Sequence, residues 1–290
     1  MTRRNYEQED FVSYDGTRIR MQRSGQGKPI VMANGLGGTF DAWRHVVSAL
    51  GDRYRIVCWD YRGLYGSARP RDLSSLTVPN HCRDLEALLE REGIGEAVFM
   101  GWSMGTQVNF EFHRAHGSMM KGLILLNGTC GAPFDTALGI PGSKKIILAG
   151  LELMRRFPSL ISKGTSLATG WSQLVPVLQQ LGLVGQTLDL EVFGDLAGEF
   201  VKLDFEVYSA TLRALGDHDA CDVLSQVRCP TLLITGDRDV MTPVSTARHI
   251  KEQIADCELV VIPGATHYAA VEFPEEVVGA IEAFLRRIGY

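Results

Sequence analysis

Long apolar runs are missing from this chain. No stretch approaches the ~18 consecutive apolar residues of a membrane-spanning helix, so no integral membrane segment is expected. The first ten residues, from Met1 to Asp10, have no apolar core and do not read as a secretory leader. Blocks of basic residues are also missing, and the net charge is −5, which disfavours a nucleic-acid partner. There is no phosphate loop of the G-x-x-x-x-G-K-[ST] type and no zinc-like spacing among the seven histidines, so no cofactor and no metal are expected. The six cysteines include no C-x-x-C pair. They read as buried thiols of a reducing compartment, and a cytoplasmic location is the expectation.

Apolar residues make up 45% of the 290 positions and charged residues 22%, enough to bury a sizeable core. Two alternating runs around Asp15-Gly16 predict an antiparallel hairpin over 8–24. From Pro29 onward the pattern changes. A continuous apolar run at 29–33, followed by strand-like runs at 54–59, 98–100 and 121–126, suits strands buried in a parallel sheet. Helical patterns separate them, at 40–50, 77–92 and 104–116. The alternation predicts a mostly parallel, eight-stranded α/β sheet with helices on both faces. Sites in such sheets lie at the carboxyl ends of strands.

The alternation stops near residue 131. Helical patterns follow over Ser143–Phe157 (with Ile146, Ile147 and Leu148), over Trp171–Leu181 with an interruption at Pro176, and over Ala197–Leu215. Strand patterns resume at 230–235 and 259–262, with a helix between them and a last helix from Pro274. The expected organisation is a core of residues 1–130 and 223–290, with a helical cap (lid) inserted at 131–222.

The 98–100 run leads into Gly101-Trp102-Ser103-Met104-Gly105, a G-x-S-x-G pattern between a strand and a helix. A serine hydroxyl is a weak nucleophile and needs a base and a fixed geometry. A sharp turn lifts it clear of the backbone, and glycines two positions to either side remove side chains that would clash. A serine of this kind needs a histidine base, and the histidine needs a carboxylate. Later strand ends offer Asp237 or Asp239, then His267. The order Ser, Asp, His is that of α/β-hydrolases. His45, His81, His113, His116, His218 and His249 sit in helical or loop contexts and read as solvated or structural.

At this point the chain resembles a capped serine esterase or lipase-like member of the α/β-hydrolase superfamily, over nearly its whole length. The resemblance rests on Asn34-Gly35-Leu36-Gly37-Gly38, Asp60-Tyr61-Arg62-Gly63, the Ser103 pentapeptide, Gly236-Asp237-Arg238-Asp239, and Pro263-Gly264-Ala265-Thr266-His267. It implies Ser103 as nucleophile, His267 as base and then acid, and Asp239 as the acid, with Asp237 a turn residue. It also implies an oxyanion hole formed by the backbone amides of Leu36 and Met104. Asn127-Gly128 occupies the alternative acid position and offers no carboxylate. Asn34 replaces the usual histidine of the oxyanion loop, and Tyr65 stands where a glycine is usual. Tyr65 is expected either at the site mouth or on the surface. Trp102 either lines the acyl pocket or packs under the sheet edge, with packing preferred.

Serine at the elbow favours hydrolysis of a small-molecule carboxylic ester of small to medium apolar acyl chain, through an acyl-enzyme. Lactone opening, thioester hydrolysis, carbon–carbon bond hydrolysis and perhydrolysis use the same scaffold. A slow-turnover ligand receptor and a peripheral lipase are alternatives of a different kind. The motifs leave these, and the oligomeric state, open.

Overall fold

In the computed structural model the described residues are 6–137, 143–156, 171–180 and 182–290. The predicted hairpin forms as β1 (Glu7–Val12) and β2 (Arg18–Ser24), turning at Gly16 with φ +84°. The remaining strands are β3 (Lys28–Ala33), β4 (Tyr54–Trp59), β5 (Ala97–Trp102), β6 (Met120–Leu126), β7 (Thr231–Gly236) and β8 (Cys257–Ile262). They form one eight-stranded sheet in the order β1-β2-β4-β3-β5-β6-β7-β8. Pairing is antiparallel for β1 with β2 and for β2 with β4, and parallel across the rest.

The apolar runs are continuous because successive side chains enter two separate cores. Val31, Val57, Phe99 and Leu123 face one side, where they meet Leu85 and Leu88 of α2 (Val78–Glu92) and Val108 of α3 (Met104–His116). Ile30, Ile56, Val98 and Ile124 face the other. There they pack with Val46 of α1 (Arg44–Leu50) and with helices from the far end of the chain. A polar residue in either position would lose its hydration with no partner.

Arg62 supports the same architecture. It is fully buried, and its guanidinium donates to both oxygens of the equally buried Asp84 on α2, at 2.8 and 2.5 Å, and to Asp15 at 2.8 Å. The Asp-x-Arg-Gly motif therefore ties β4, α2 and the first hairpin together.

Between β6 and β7 the chain is helical in the described residues: α4 (Pro133–Thr136), α5 (Ser143–Arg156), α6 (Trp171–Gln180), α7 (Leu190–Phe200) and α8 (Phe205–Gly216). Phe157 and Leu181, the predicted ends of two helices, lie outside the described residues. Helix α6 runs through Pro176 at the loss of one backbone hydrogen bond. The single helix expected over 197–215 is two. Asp204 ends the first pattern and caps α8, its Oδ1 accepting from the amides of Glu206 and Val207. Asp189 caps α7 in the same way. After β7 come α9 (Val244–Gln253), then β8, α10 (Ala269–Glu272) and α11 (Pro274–Arg287).

One expectation is corrected. Cys130 and Cys221 are joined in a disulfide with a Cα–Cα distance of 4.8 Å, so the six cysteines are not all thiols. Spacing could not show this, because the two residues are 91 positions apart and meet only where the chain leaves β6 and returns towards β7. The cysteine content therefore gives no argument about compartment. A crosslink across so long a loop removes much of the unfolded chain's freedom, typically about 2–4 kcal/mol of stability. Urea unfolding of the double variant Cys130→Ser, Cys221→Ser should show a loss of that order, and the same loss should appear in the unaltered protein after reduction.

Candidate active site

The carboxyl ends of six parallel strands, β3 to β8, meet at one edge of the sheet. At the end of β5, Ser103 has φ 54° and ψ −115°, a backbone conformation that few non-glycine residues adopt. Its amide donates to the Leu126 carbonyl at 2.9 Å, which anchors the turn to β6. The flanking glycines are required by close packing. A Cβ on Gly105 would collide with the Ala33 carbonyl oxygen, and one on Gly101 would stand 2.5 Å from the Gly105 carbonyl oxygen. Helix α3 thus passes directly against β3, and Ser103 is held at the crossing.

The loop after β3 is held by aromatic donors. Asn34 accepts from the Trp43 indole at 2.7 Å through its side chain, and from the Tyr61 hydroxyl at 2.7 Å through its carbonyl. Tyr65 donates to the Gly37 carbonyl at 2.5 Å, so it braces this loop rather than lying on the surface. Gly35 and Gly38 lie against the face of Trp102. The amides of Leu36 and Met104 donate to no protein acceptor among the described residues. Free donors at a helix start and in a glycine loop suit a developing negative charge.

Asp239 and His267 come together. His267 Nδ1 lies 2.8 Å from Asp239 Oδ2, with both side chains almost wholly buried. The carboxylate also accepts from the amides of Met241 and Thr242 at 2.8 and 2.9 Å, from the Thr242 hydroxyl at 2.7 Å, and from the Asn127 amide at 2.9 Å. Burial alone would push this carboxyl up. The facing His267 charge and the bonds from His267 and Thr242 outweigh it and hold the group below its ordinary value. Asp237 instead accepts from the Gly264 amide at 2.7 Å and joins two turns.

Ser103 and His267 line one cavity of about 450 Å³. No hydrogen bond joins the Ser103 hydroxyl to His267 among the described residues; such contacts commonly tighten only when substrate binds. The cavity roof comes from the helices between β6 and β7, including Phe134, Ile147, Leu196, Phe200 and Leu212. Leu36, Trp102 and Met241 complete its walls. Trp102 both lines the cavity and packs, since its indole donates to the His267 carbonyl at 2.9 Å. None of the other six histidines reaches the cavity. His81 is fully buried, and burial pushes it down to about 3, so it is neutral at neutral pH.

Three residues given no supporting role in the sequence reading support the site. Asn127 and Thr242 bond to Asp239. Glu272 accepts from the Thr266 amide and hydroxyl at 2.7 and 2.6 Å and from the Gly185 amide at 2.6 Å, joining the histidine loop to the helical segment. Only Asn127 had a signal, its place at a strand end. Cys130, Cys221 and His249 also come together, but the two sulfurs are bonded to each other and offer no thiolate to a metal.

The model of the alpha/beta hydrolase fold matches residues 28–274. The chain belongs to the α/β-hydrolase family. It is a hydrolase of that fold. Among its relatives is 2-hydroxy-6-oxo-6-(2'-aminophenyl)hexa-2,4-dienoic acid hydrolase of Metapseudomonas resinovorans, 24% identical, covering 96% of this chain and 91% of that protein. Another is 3-oxoadipate enol-lactonase 2 of Acinetobacter baylyi, 26% identical over 89% of this chain and 88% of that protein. An esterase from Exiguobacterium antarcticum superposes with a TM-score of 0.81 at 20% identity, covering 97% of this chain and all (100%) of that one. No helix among the described residues is long and apolar enough to cross a membrane.

The same edge holds Asp60, which burial pushes up to about 6 despite donors from Gln22 and Gly66. A carboxyl raised above its unfolded value of ~3.9 stabilises the fold least when ionised. Its contribution is therefore lost as pH rises from about 4 to about 6, by about 3 kcal/mol in total. In urea unfolding across that range, the stability of the unaltered protein relative to Asp60→Asn should decline by this amount as pH rises.

Proposed function

We propose that Ser103, His267 and Asp239 act as nucleophile, base and acid, with the Leu36 and Met104 amides as oxyanion donors. The reaction is hydrolysis of neutral, apolar carboxylic esters of small to medium acyl chain. Residues 131–222 serve as the cap over the acyl site. The observation that carries this reading is the buried His267–Asp239 pair at 2.8 Å, opening on the cavity that also receives the strained Ser103.

The bond to Asp239 occupies Nδ1 and leaves Nε2 as the basic nitrogen. As the Ser103 hydroxyl adds to the ester carbonyl, Nε2 takes its proton and the two amides receive the oxyanion. The tetrahedral intermediate collapses when the imidazolium gives that proton to the departing alkoxide, which leaves as the alcohol. The acyl group is then on Ser103. Water repeats the sequence: Nε2 takes a proton from it, the acyl–oxygen bond breaks, and the acid departs while Ser103 recovers its proton. Asp239 stays ionised throughout and stabilises the imidazolium. Its depressed affinity for protons suits that task.

The choice of substrate rests on the cavity lining. Two relatives are named for a dienoic acid and for a 3-oxoadipate enol-lactone. Among the described residues, no lysine or arginine lines the cavity. A substrate carboxylate under the cap would lose its hydration without a partner. The neutral ester is accordingly favoured over those acids, and hydrolysis over lactone opening or carbon–carbon cleavage of such acids.

Treatment with a fluorophosphonate should add one label, at Ser103 by mass spectrometry, and p-nitrophenyl esters should turn over with an optimum at intermediate chain length. Ser103→Ala should abolish labelling and lower turnover by up to ~10⁶. Activity retained in that variant would overturn the triad. A monoester of a diacid should react at least ~10-fold more slowly than a neutral ester of equal length, as one unpaired charge costs more than 1.4 kcal/mol. Equal rates would overturn the substrate reading.

A further inference from the structure

We infer that Asn127 is a positioning residue that sets the proton affinity of His267 through Asp239. The inference rests on the triad reading above. Asn127 ends β6 with φ +44° and is 1% exposed. Its backbone amide donates to the Ile234 carbonyl at 2.9 Å, which fixes it to β7. From there its side-chain Nδ2 donates twice: to Asp239 Oδ2 at 2.9 Å and to the Thr266 carbonyl at 3.1 Å. One amide group thus spans the acid and the residue immediately before the base. It sets the separation of two loops that come from different strands.

The oxygen it meets matters. Asp239 Oδ2 is also the atom that faces His267 Nδ1 and that accepts from the Thr242 hydroxyl. The charge on that oxygen is shared among three donors, and the other oxygen is held by two backbone amides. A donor from Asn127 stabilises the carboxylate whether or not the imidazole is charged. It therefore weakens the extra attraction that the imidazolium gains from Asp239. Without that donor the carboxylate would bind the imidazolium more tightly, and His267 would remain protonated to higher pH. A protonated His267 cannot act as the base. Asn127 thereby extends activity towards lower pH, in a position where a carboxylate would do the reverse.

Polar and charged groups reach this pair from every packed element. Thr242 comes from the β7 loop, Thr266 from the β8 loop and Asn127 from β6. Tyr268 follows His267, and the Glu272 carboxylate sits behind Thr266. Asn127→Gly leaves each of these in place. Glycine accepts the positive φ without strain, so the variant removes the amide group while sparing the backbone.

The test is the pH profile of kcat/KM for a p-nitrophenyl ester, measured on Asn127→Gly and Asn127→Ala beside the unaltered protein. Loss of one hydrogen bond to a charged group should move the acid limb upward by about 0.5–1 unit in both variants. At neutral pH that shift should lower kcat by at most about 3- to 10-fold, with KM changed by less than about 2-fold. The downfield proton resonance of His267 Nδ1–H should titrate at the same raised value. An acid limb that stays in place in Asn127→Gly, with Ser103→Ala inactive as expected, would overturn the role of Asn127 and leave the triad standing. If Ser103→Ala keeps its activity, the triad itself fails. A fall in thermal stability in Asn127→Ala alone, with unmoved profiles in both variants, would give Asn127 a purely structural place and overturn the inference.

Discussion

Helix α3 leaves the sheet by crossing β3 at backbone contact, and the rest of the molecule is arranged to permit that crossing. A single added Cβ at Gly105 would occupy the space of the Ala33 carbonyl. Because the approach is so close, the turn before the helix has no freedom to relax, and Ser103 is forced to positive φ. Strain of this kind costs about 1–3 kcal/mol and persists only where the surroundings over-determine it. Here the two cores on either face of the sheet supply that determination. The serine's exposure to the cavity follows from packing several residues away.

The electrostatics of the site have a similar logic. Asp239 is buried, which would ordinarily discourage its charge, yet five donors face it. A carboxylate satisfied in this way acts as a fixed negative charge in a medium of low polarity. Around it the described lining of the cavity is mostly apolar and includes no lysine or arginine. Among the described residues, no other ion of the lining competes for the pair, and the field of Asp239 acts on His267. The helices above the edge contribute apolar walls, and the polar side chains come from the strand ends beneath.

Much of this was legible in the sequence because burial on both faces leaves a mark. The runs at 29–33, 54–59, 98–100 and 121–126 are apolar but for Arg55, Lys121 and Gly122, and each became part of a parallel strand. The elbow was legible because its glycines are a steric demand on neighbouring backbone. His267, with Asp237 or Asp239, was read from places after strand ends, and the choice of Asp239 came from the resemblance. Other features left no local trace. Asp204 divides a continuous helical pattern, because a capping carboxylate outweighs periodicity at one position. The disulfide joins residues whose proximity is a property of the finished topology. Asn127 was noticed for the carboxylate it lacks, while its action depends on a donor geometry that only three converging loops create. Glu272 belongs to no motif, yet it is buried with three donors.

The disulfide has a topological meaning. Cys130 and Cys221 enclose the helices α4 to α8 in a covalent ring whose neck is a single bond between sulfurs. The strands β1–β6 lie on one side of that neck in the chain and β7 and β8 on the other. A peptide bond cut anywhere inside the ring leaves one molecule, its two parts still joined beside the site. Ser103 belongs to the first part, and Asp239 and His267 to the second. Ser103 and His267 are thus linked by two independent covalent routes, one through the helices and one through sulfur, and either alone keeps them in the same molecule.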